Sequence, residues 1–178
     1  DPQERVLSCI DRDSGKTLWQ KTVLQAPLET KHALNSFASS TPATDGKLVF
    51  VSFLEVDGHT IPVPNVGNVR PVTPGKMAVA AYDFAGNQKW LARPGDFVSA
   101  HGYCASPVLF ENLVIVNGDH DGDSYVLTLD KQTGREVVEL LRNLGRGQGA
   151  AILMASHDHR ILDLSDRVMY LEDGRLSS

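Results

Sequence analysis

An Asp–turn–Gly–Trp motif recurs along this chain and constrains its fold more than any other feature. Each copy follows an apolar run and leads into a second run, which is the pattern of an antiparallel β-hairpin. A supersecondary unit that returns along a chain indicates a repeat architecture. The copies, the last of which lacks its Trp, are Asp11, Gly15 and Trp19; Asp83, Gly86 and Trp90; and Asp130 and Gly134.

A second recurring unit lies before the later copies of the motif. It consists of a segment with Ser and Pro, an apolar strand, a turn and another apolar strand, over residues 39–53 and again over residues 105–118. The two units together supply the four antiparallel strands of one β-propeller blade. The large, rigid Trp side chain suits packing between blades. We therefore predict a mainly β fold, a partial antiparallel β-propeller of about two and a half blades.

These motifs resemble the PQQ-type (quinoprotein-like) β-propeller repeat, whose hallmark is an Ala/Val-x-Asp-x-x-x-Gly-x-x-x-Trp hairpin. The resemblance covers about residues 6–134. It leaves activity open, since the repeat occurs in quinone-dependent dehydrogenases and in non-catalytic binding scaffolds. The vicinal cysteine pair of quinone-dependent alcohol dehydrogenases is absent, so bound PQQ is not expected. A ring needs typically four to eight blades. The chain is therefore expected to be an arc of a larger ring, with further blades or protein partners beside it.

The predicted propeller occupies residues 1–130 and contains one inserted surface loop, over residues 55–76. Four of the nine prolines fall in this insertion, and proline disfavours regular strand pairing. The two cysteines, Cys9 and Cys104, lie in apolar, strand-like contexts. They are predicted to be small buried hydrophobic residues, and a disulfide between them is the alternative, for which the sequence gives no support.

Beyond Gly134 the pattern changes from strand to helix. Residues 135–144 carry apolar side chains at helical spacing where the repeat would require another Trp, and Thr133 with Glu136 has the spacing of a capping box. The helix is expected to begin at about Gly134. The apolar run 150–155 predicts a buried strand, and residues 167–171 predict a last strand. Residues 131–178 are therefore predicted to form a small α/β C-terminal segment.

The tail resembles the C-terminal end of an ABC-transporter ATP-binding domain of the lipid or lipoprotein exporter type, over about residues 129–178. The resemblance rests on the order strand, Ser-His-Asp, short helix, strand and Glu-Asp-Gly-Arg. It implies that His157 corresponds to the switch histidine at the γ-phosphate and Asp130 to the end of the D-loop. It also implies a membrane permease as partner, and ATP with Mg²⁺ only where the rest of the ATPase domain is present.

Several parts of an ATPase site are missing from the sequence. There is no Gly-x-x-x-x-Gly-Lys-Ser/Thr loop, no ABC signature motif and no acidic Walker B pair before Asp130. Because phosphoryl transfer needs a phosphate cradle, a metal and a positioned water together, we do not expect this chain to hydrolyse ATP alone. Enzymatic activity is left open and is not the favoured reading.

Three alternating carboxylates, Asp119, Asp121 and Asp123, are the candidate metal ligands, with calcium as the ion. The alternative is a solvated acidic turn, because Ser124 stands where an EF-hand loop needs glycine. His101 is a possible ligand contact. The net charge of -5 provides no basic surface for nucleic acid, and no apolar run approaches the length of a membrane span.

Two functions from different classes follow from these patterns. The first is a non-catalytic propeller scaffold for binding or assembly, located outside the cytoplasm. The alternative is the ATP-binding subunit of an ABC exporter at the cytoplasmic face of the membrane, represented only by its C-terminal tail. Both patterns are incomplete at the same place, residues 129–134. A natural fusion, a recombination product or a joining of two sequences is therefore a further hypothesis.

Overall fold

The computed structural model describes residues 3–65, 68–137, 168, 170–172 and 175–177. Its contacts divide the chain into two compact units, Asp1–Gly134 and Arg135–Ser178. The division falls at the glycine that ends the third copy of the motif.

Antiparallel β-strands dominate the first unit, which confirms the mainly β fold. β-Branched and aromatic residues favour these segments, because their side chains fit a pleated, half-buried surface. The strands are β1 (Gln3–Ile10), β2 (Thr17–Ala26), β3 (Ala43–Thr44), β4 (Leu48–Val56), β5 (Ile61–Asn65), β6 (Asn68–Val72), β7 (Gly75–Asp83), β8 (Gln88–Phe97), β9 (Val108–Phe110), β10 (Leu113–Gly118) and β11 (Tyr125–Asp130).

The strands pair into three blade-like sheets along the chain. The first sheet is the motif hairpin β1–β2, the second has the complete order β3-β4-β7-β8, and the third has the order β11-β10-β9. Within the part of the chain that the structure describes, the third sheet lacks a strand after its motif turn. A two-, a four- and a three-stranded sheet agree with the predicted partial propeller.

The proline-containing segment 55–76 is more regular than the surface loop we predicted. Strands β4 and β7 pair as far as Val56 opposite Gly75, and β5 and β6 form a separate hairpin between them, with Pro62 opposite Pro71. Proline has no N–H to donate, but a strand with an unpaired edge tolerates it. The segment is therefore mostly an extension of the middle blade that ends in its own hairpin.

Strand β7 lies at the centre of the unit, because both of its faces are buried. Successive side chains of a strand point to opposite faces. One face carries Met77 and Val79 into a cluster with Trp90 and Leu129. The opposite face carries Ala80 into a second cluster with residues of the first hairpin. The middle blade is therefore packed against the hairpin before it and the sheet after it.

The second unit is described in part. Its strands β12 (Tyr170–Glu172) and β13 (Arg175–Ser177) form an antiparallel hairpin with Leu171 opposite Leu176. The predicted last strand over 167–171 thus overlaps β12. The predicted strand over 150–155, most of the predicted helix and His157 lie outside the described residues. Arg135 and Glu136 are not helical, and Val137 is the first residue with helical geometry, so the start predicted at Gly134 is too early.

Candidate functional site

Each motif aspartate organises its own turn. Its carboxylate accepts a backbone N–H from a residue three or four positions later, as an Asx-type turn does. The glycine that closes each turn has a positive φ, between 69° and 80°, which only glycine adopts without strain. The N–H to carboxylate distances are all 2.8 Å, for Ser14 to Asp11, Asn87 to Asp83 and Thr133 to Asp130.

The hydrogen bonds of these turns favour the ionised carboxylates. The bonds from Ser14 lower the pKa of Asp11, and those from Lys89 and Asn87 lower the pKa of Asp83. For Asp130, burial has the largest single effect and raises the pKa. The hydrogen bonds of its turn together outweigh burial and leave the pKa below its ordinary value. Asp130, predicted as a D-loop position, thus has a local structural role in this fold.

The Trp of the first motif packs on the turn of the second. The Nε1–H group of Trp19 donates to the carbonyl of Phe84 at 3.0 Å. A Cβ atom placed on Gly86 would lie 3.0 Å from the Trp19 ring, so glycine is needed for the ring to approach this closely. The motif therefore joins two sheets, as predicted for a blade-to-blade anchor.

The Trp of the second motif packs on the turn of the third in the same way. The Nε1–H group of Trp90 donates to the carbonyl of Lys131 at 2.8 Å, in a buried position. A Cβ atom on Gly134 would lie 2.6 Å from the ring. In both contacts the acceptor is the carbonyl that follows the motif aspartate, and the surface beneath the ring is the motif glycine.

A cavity of about 640 Å³ opens at the end of the middle blade where β4, β7 and β8 meet the loop after β10. Apolar side chains form much of its wall, and charged side chains lie around it. A concave, largely apolar surface with a few polar groups is the usual form of a binding pocket. Its lining residues include the apolar Val56, Pro74, Phe97 and Val98 and the polar Lys76 and His120.

Two cross-strand ion pairs lie among the residues that line the cavity. The Lys76 ammonium is 2.8 Å from the Asp96 carboxylate, with both side chains exposed. The Arg93 guanidinium forms two bonds with Glu55, and the hydrogen bond from this partner raises the pKa of Arg93. Exposed pairs contribute little to stability. These two pairs hold charged groups beside the apolar wall of the cavity.

His120 carries a polar atom that has no partner in the part of the chain that the structure describes. Its Nδ1 atom accepts the backbone N–H groups of Gly122 at 2.9 Å and Val98 at 3.3 Å. The neutral ring therefore carries its proton on Nε2. This Nε2 is buried and has no hydrogen-bond partner among the described residues. The ring is held between Phe97 and Tyr125, at centroid distances of 5.0 Å and 5.8 Å.

The predicted acidic cluster surrounds His120 in sequence, and two of its members brace the loop. Asp121 accepts the N–H of Ala100 at 2.7 Å, and Asp119 accepts the hydroxyl of Ser124 at 3.2 Å. Over the described ranges, no group of three or more His, Cys, Asp or Glu side chains is arranged to hold a metal ion. Calcium binding by Asp119, Asp121 and Asp123 stays a prediction. Sequence reasoning singled out the aspartates and missed the histidine, which had no motif of its own.

The other residues singled out in the sequence lie away from the cavity or outside the described part. His101 is exposed and its carbonyl accepts the N–H of His32 at 3.1 Å, whereas His157 is not described. Both cysteines are free. Cys104 is exposed and Cys9 is half-buried, so the prediction that both are buried is wrong. The loop that follows Tyr103 carries the Cys104 side chain outward.

Comparison with known proteins finds a family model and several short local matches. The family model described as outer membrane protein assembly factor BamB matches residues 3–178. The match extends past Gly134, where the repeat pattern loses its Trp. No solved structure matches the chain. The described residues contain no helix long and apolar enough to cross a membrane.

Three curated relatives, each named as an ATP-binding protein, match over short stretches. The cell division ATP-binding protein FtsE of Mycobacterium tuberculosis is 45% identical over 49 residues, which is 27% of this chain and 21% of that protein. The macrolide export ATP-binding/permease protein MacB 2 of Aeromonas hydrophila is 40% identical over 48 residues, 27% of this chain and 7% of that protein. The macrolide export ATP-binding/permease protein MacB of Nitrosomonas europaea is 36% identical over 64 residues, which is 35% of this chain and 10% of that protein. The chain thus spans about a fifth or less of these relatives.

Proposed function

This chain belongs to the outer membrane protein assembly factor BamB family, and from that premise we propose that it is a non-catalytic β-propeller scaffold that binds protein partners during outer-membrane assembly. The observation that carries the proposal is the family match over residues 3–178, on a chain whose described sheets follow a propeller order. The role locates the chain beyond the cytoplasmic membrane. It needs no cofactor, and neither PQQ nor ATP takes part.

The cavity beside β8 is the proposed contact for a partner. Its apolar wall at Val56 and Phe97 fits one aliphatic or aromatic side chain of a peptide segment. His120 also lines the cavity, and its Nε2–H has no acceptor among the described residues. Charged residues on either side of the bound side chain can pair with groups of the Lys76–Asp96 and Arg93–Glu55 ion pairs.

Site-specific crosslinking in cells tests this assignment. A photoreactive phenylalanine analogue placed at Lys76, beside the cavity, is expected to capture an outer-membrane assembly protein in a Gram-negative host that exports the chain. The same analogue at Lys47, exposed in the turn at the opposite end of β4, is the control and should capture little. Products are identified by mass spectrometry. Equal capture at both positions, or none at Lys76, would contradict a partner site at the cavity.

A second candidate function is nucleotide binding, which the ABC-type matches favour. It predicts that Mg-ATP stabilises the chain, by about 2.7 kcal/mol at a hundredfold excess over the dissociation constant. We expect no rise in melting temperature, because the sequence has no phosphate-binding loop. Mg²⁺ without nucleotide is the control in the same thermal-unfolding measurement. A rise that saturates with ATP concentration would make the ATP-binding alternative the better one.

A further inference from the structure

The hairpin of β5 and β6 presents an apolar face to solvent. This proline face consists of the side chains of Pro62, Pro64, Val69 and Pro71, all of them exposed. We propose that the proline face is a docking surface for an acidic groove, lined with aromatic side chains, on a protein partner. None of its four residues lines the cavity, so the proposal does not depend on a partner site there.

The register of the hairpin places the four side chains together. Successive residues of a strand point to opposite faces. Pro62 lies opposite Pro71, and Pro64 lies opposite Val69. Directly opposed and diagonal residues of an antiparallel pair are close enough to form one surface. Val69 is 66% exposed, so this surface is open to a partner and consists of apolar side chains from both strands.

The opposite face of the hairpin is anchored, which gives the proline face a fixed position. Val63 and Val72 are buried in a cluster with Ala100. At the end of β6, Thr73 and Thr30 exchange hydrogen bonds, because the backbone N–H of each donates to the hydroxyl of the other. The distances are 2.8 Å from Thr30 and 2.9 Å from Thr73. A contact surface that is already ordered lowers the entropic cost of binding.

The prolines also determine which part of the hairpin a partner can use. Only every second residue of an antiparallel strand directs its N–H and C=O groups to the paired strand. Proline has no N–H to donate, so the opposed Pro62 and Pro71 occupy outward-directed positions, and so does Pro64. The outer edge of β5 therefore lacks donors at two successive outward positions. An added strand cannot pair there, which leaves the face as the contact surface.

Protection of the hairpin edges explains the prolines but not the residues beside them. The exposed Val69 adds apolar surface, and Arg70 is exposed next to it. No ion pair among the described residues includes Arg70. Residues 58–82 contain no Asp or Glu, whereas the whole chain has a net charge of -5. The hairpin is thus a basic, apolar element of an acidic protein, and charge complementarity favours an acidic partner.

The proline side chains indicate the apolar part of the partner. Rigid proline surfaces dock in grooves lined with aromatic residues, and aromatic residues are enriched at protein interfaces. A lipid surface fits less well, because segments that lie in a bilayer surface carry Trp, Phe or Leu and several basic residues. Residues 58–72 contain no Trp, Phe or Leu, and one Arg is their only Lys or Arg. The observations therefore favour a protein.

NMR titration of the full chain with a blocked peptide of alternating tryptophan and glutamate tests the proposal. A saturable upfield shift of the Val69 methyl signals is expected, because an aromatic ring stacked on the proline face shields them. Arg70→Gln is expected to weaken binding about threefold, as the loss of an exposed ion pair does. Val69→Asp should abolish the shifts at Pro62 and Pro71. Val126→Asp is the matched control and should leave them unchanged, because Val126 is also 66% exposed but lies on β11.

Two altered peptides and a lipid surface separate the alternatives. The peptide with leucine for tryptophan, or with lysine for glutamate, is expected to bind at least about threefold more weakly. Vesicles that contain phosphatidylglycerol should not sediment the chain. The proposal is overturned by an absence of shifts with the tryptophan peptide, by equal binding of the leucine peptide, or by binding to the vesicles alone.

The same spectra distinguish the proline face from other contacts. Peptide shifts confined to Val56 and Phe97 would place the site in the cavity, and they would contradict docking at the hairpin. Val69 shifts that follow protein concentration without peptide would identify a second copy of this chain as the occupant instead. Crosslinking at Lys76 reports on the cavity, so either proposal can fail while the other stands.

Discussion

Replacing Trp90 by alanine is expected to lower the free energy of unfolding of the Asp1–Gly134 unit by about 3–5 kcal/mol, the usual cost of removing a large buried aromatic side chain. The Trp90 ring is buried in the largest apolar cluster of the described residues, and its centroid lies 5.9 Å from that of the Phe50 ring. Its removal leaves a cavity above Gly134. It also leaves the buried carbonyl of Lys131 without its donor, which adds to the cost.

Trp19→Ala is the matched control, because Trp19 makes the same contact in a more exposed place. Its indole hydrogen bond to Phe84 is exposed to solvent, so we expect a loss of about 1–2 kcal/mol, less than for a fully buried ring. Urea unfolding of both variants, followed by circular dichroism, gives the comparison. Equal losses would show that burial does not determine the strength of the repeat contact.

Replacing Glu29 by alanine is expected to cost about 3–5 kcal/mol, because it leaves the buried guanidinium of Arg5 without its counter-ion. The two side chains are each 3% exposed, and Arg5 Nη2 lies 2.7 Å from the Glu29 carboxylate. The same guanidinium donates to the carbonyl of Pro27 at 3.0 Å. It thereby ties the loop after β2 to the first strand.

Two further variants separate the lost pair from the uncompensated charge. Arg5→Met with Glu29→Leu removes both charges, so we expect it to be more stable than Glu29→Ala alone. Lys76→Ala breaks an exposed pair with Asp96 and should cost at most about 1 kcal/mol. Urea denaturation midpoints measure all three. A Glu29→Ala loss no larger than that of Lys76→Ala would contradict the buried-charge explanation.

Much of the propeller could be predicted because its signals are local. The sequence of β10 is an apolar run rich in β-branched residues, and the turn at Glu111 and Asn112 separates it from β9. The segment 55–76 was predicted as a loop because prolines disfavour strands. In the structure its two ends extend β4 and β7, and its middle forms the β5–β6 hairpin. Among the described residues β5 and β6 pair with each other alone, so they need few N–H donors.

The candidate site was harder to predict, because its residues come from separate parts of the chain. The aspartates after β10 formed a visible pattern, whereas His120 did not. Its place at the cavity depends on the backbone N–H of Val98 and on the ring of Phe97. These contacts exist only after β8 and the loop beyond β10 have come together. A sequence pattern that covers a few residues cannot encode them.

The sequence by itself determined the three motif turns. An aspartate that caps its own turn and a glycine that takes positive φ act within five residues, so composition and spacing suffice. Tertiary structure decided which turn each Trp covers and that Arg5 pairs with Glu29 inside the unit. These outcomes depend on how whole sheets pack, since burial and hydrogen bonding between distant residues arise only when the sheets are in contact.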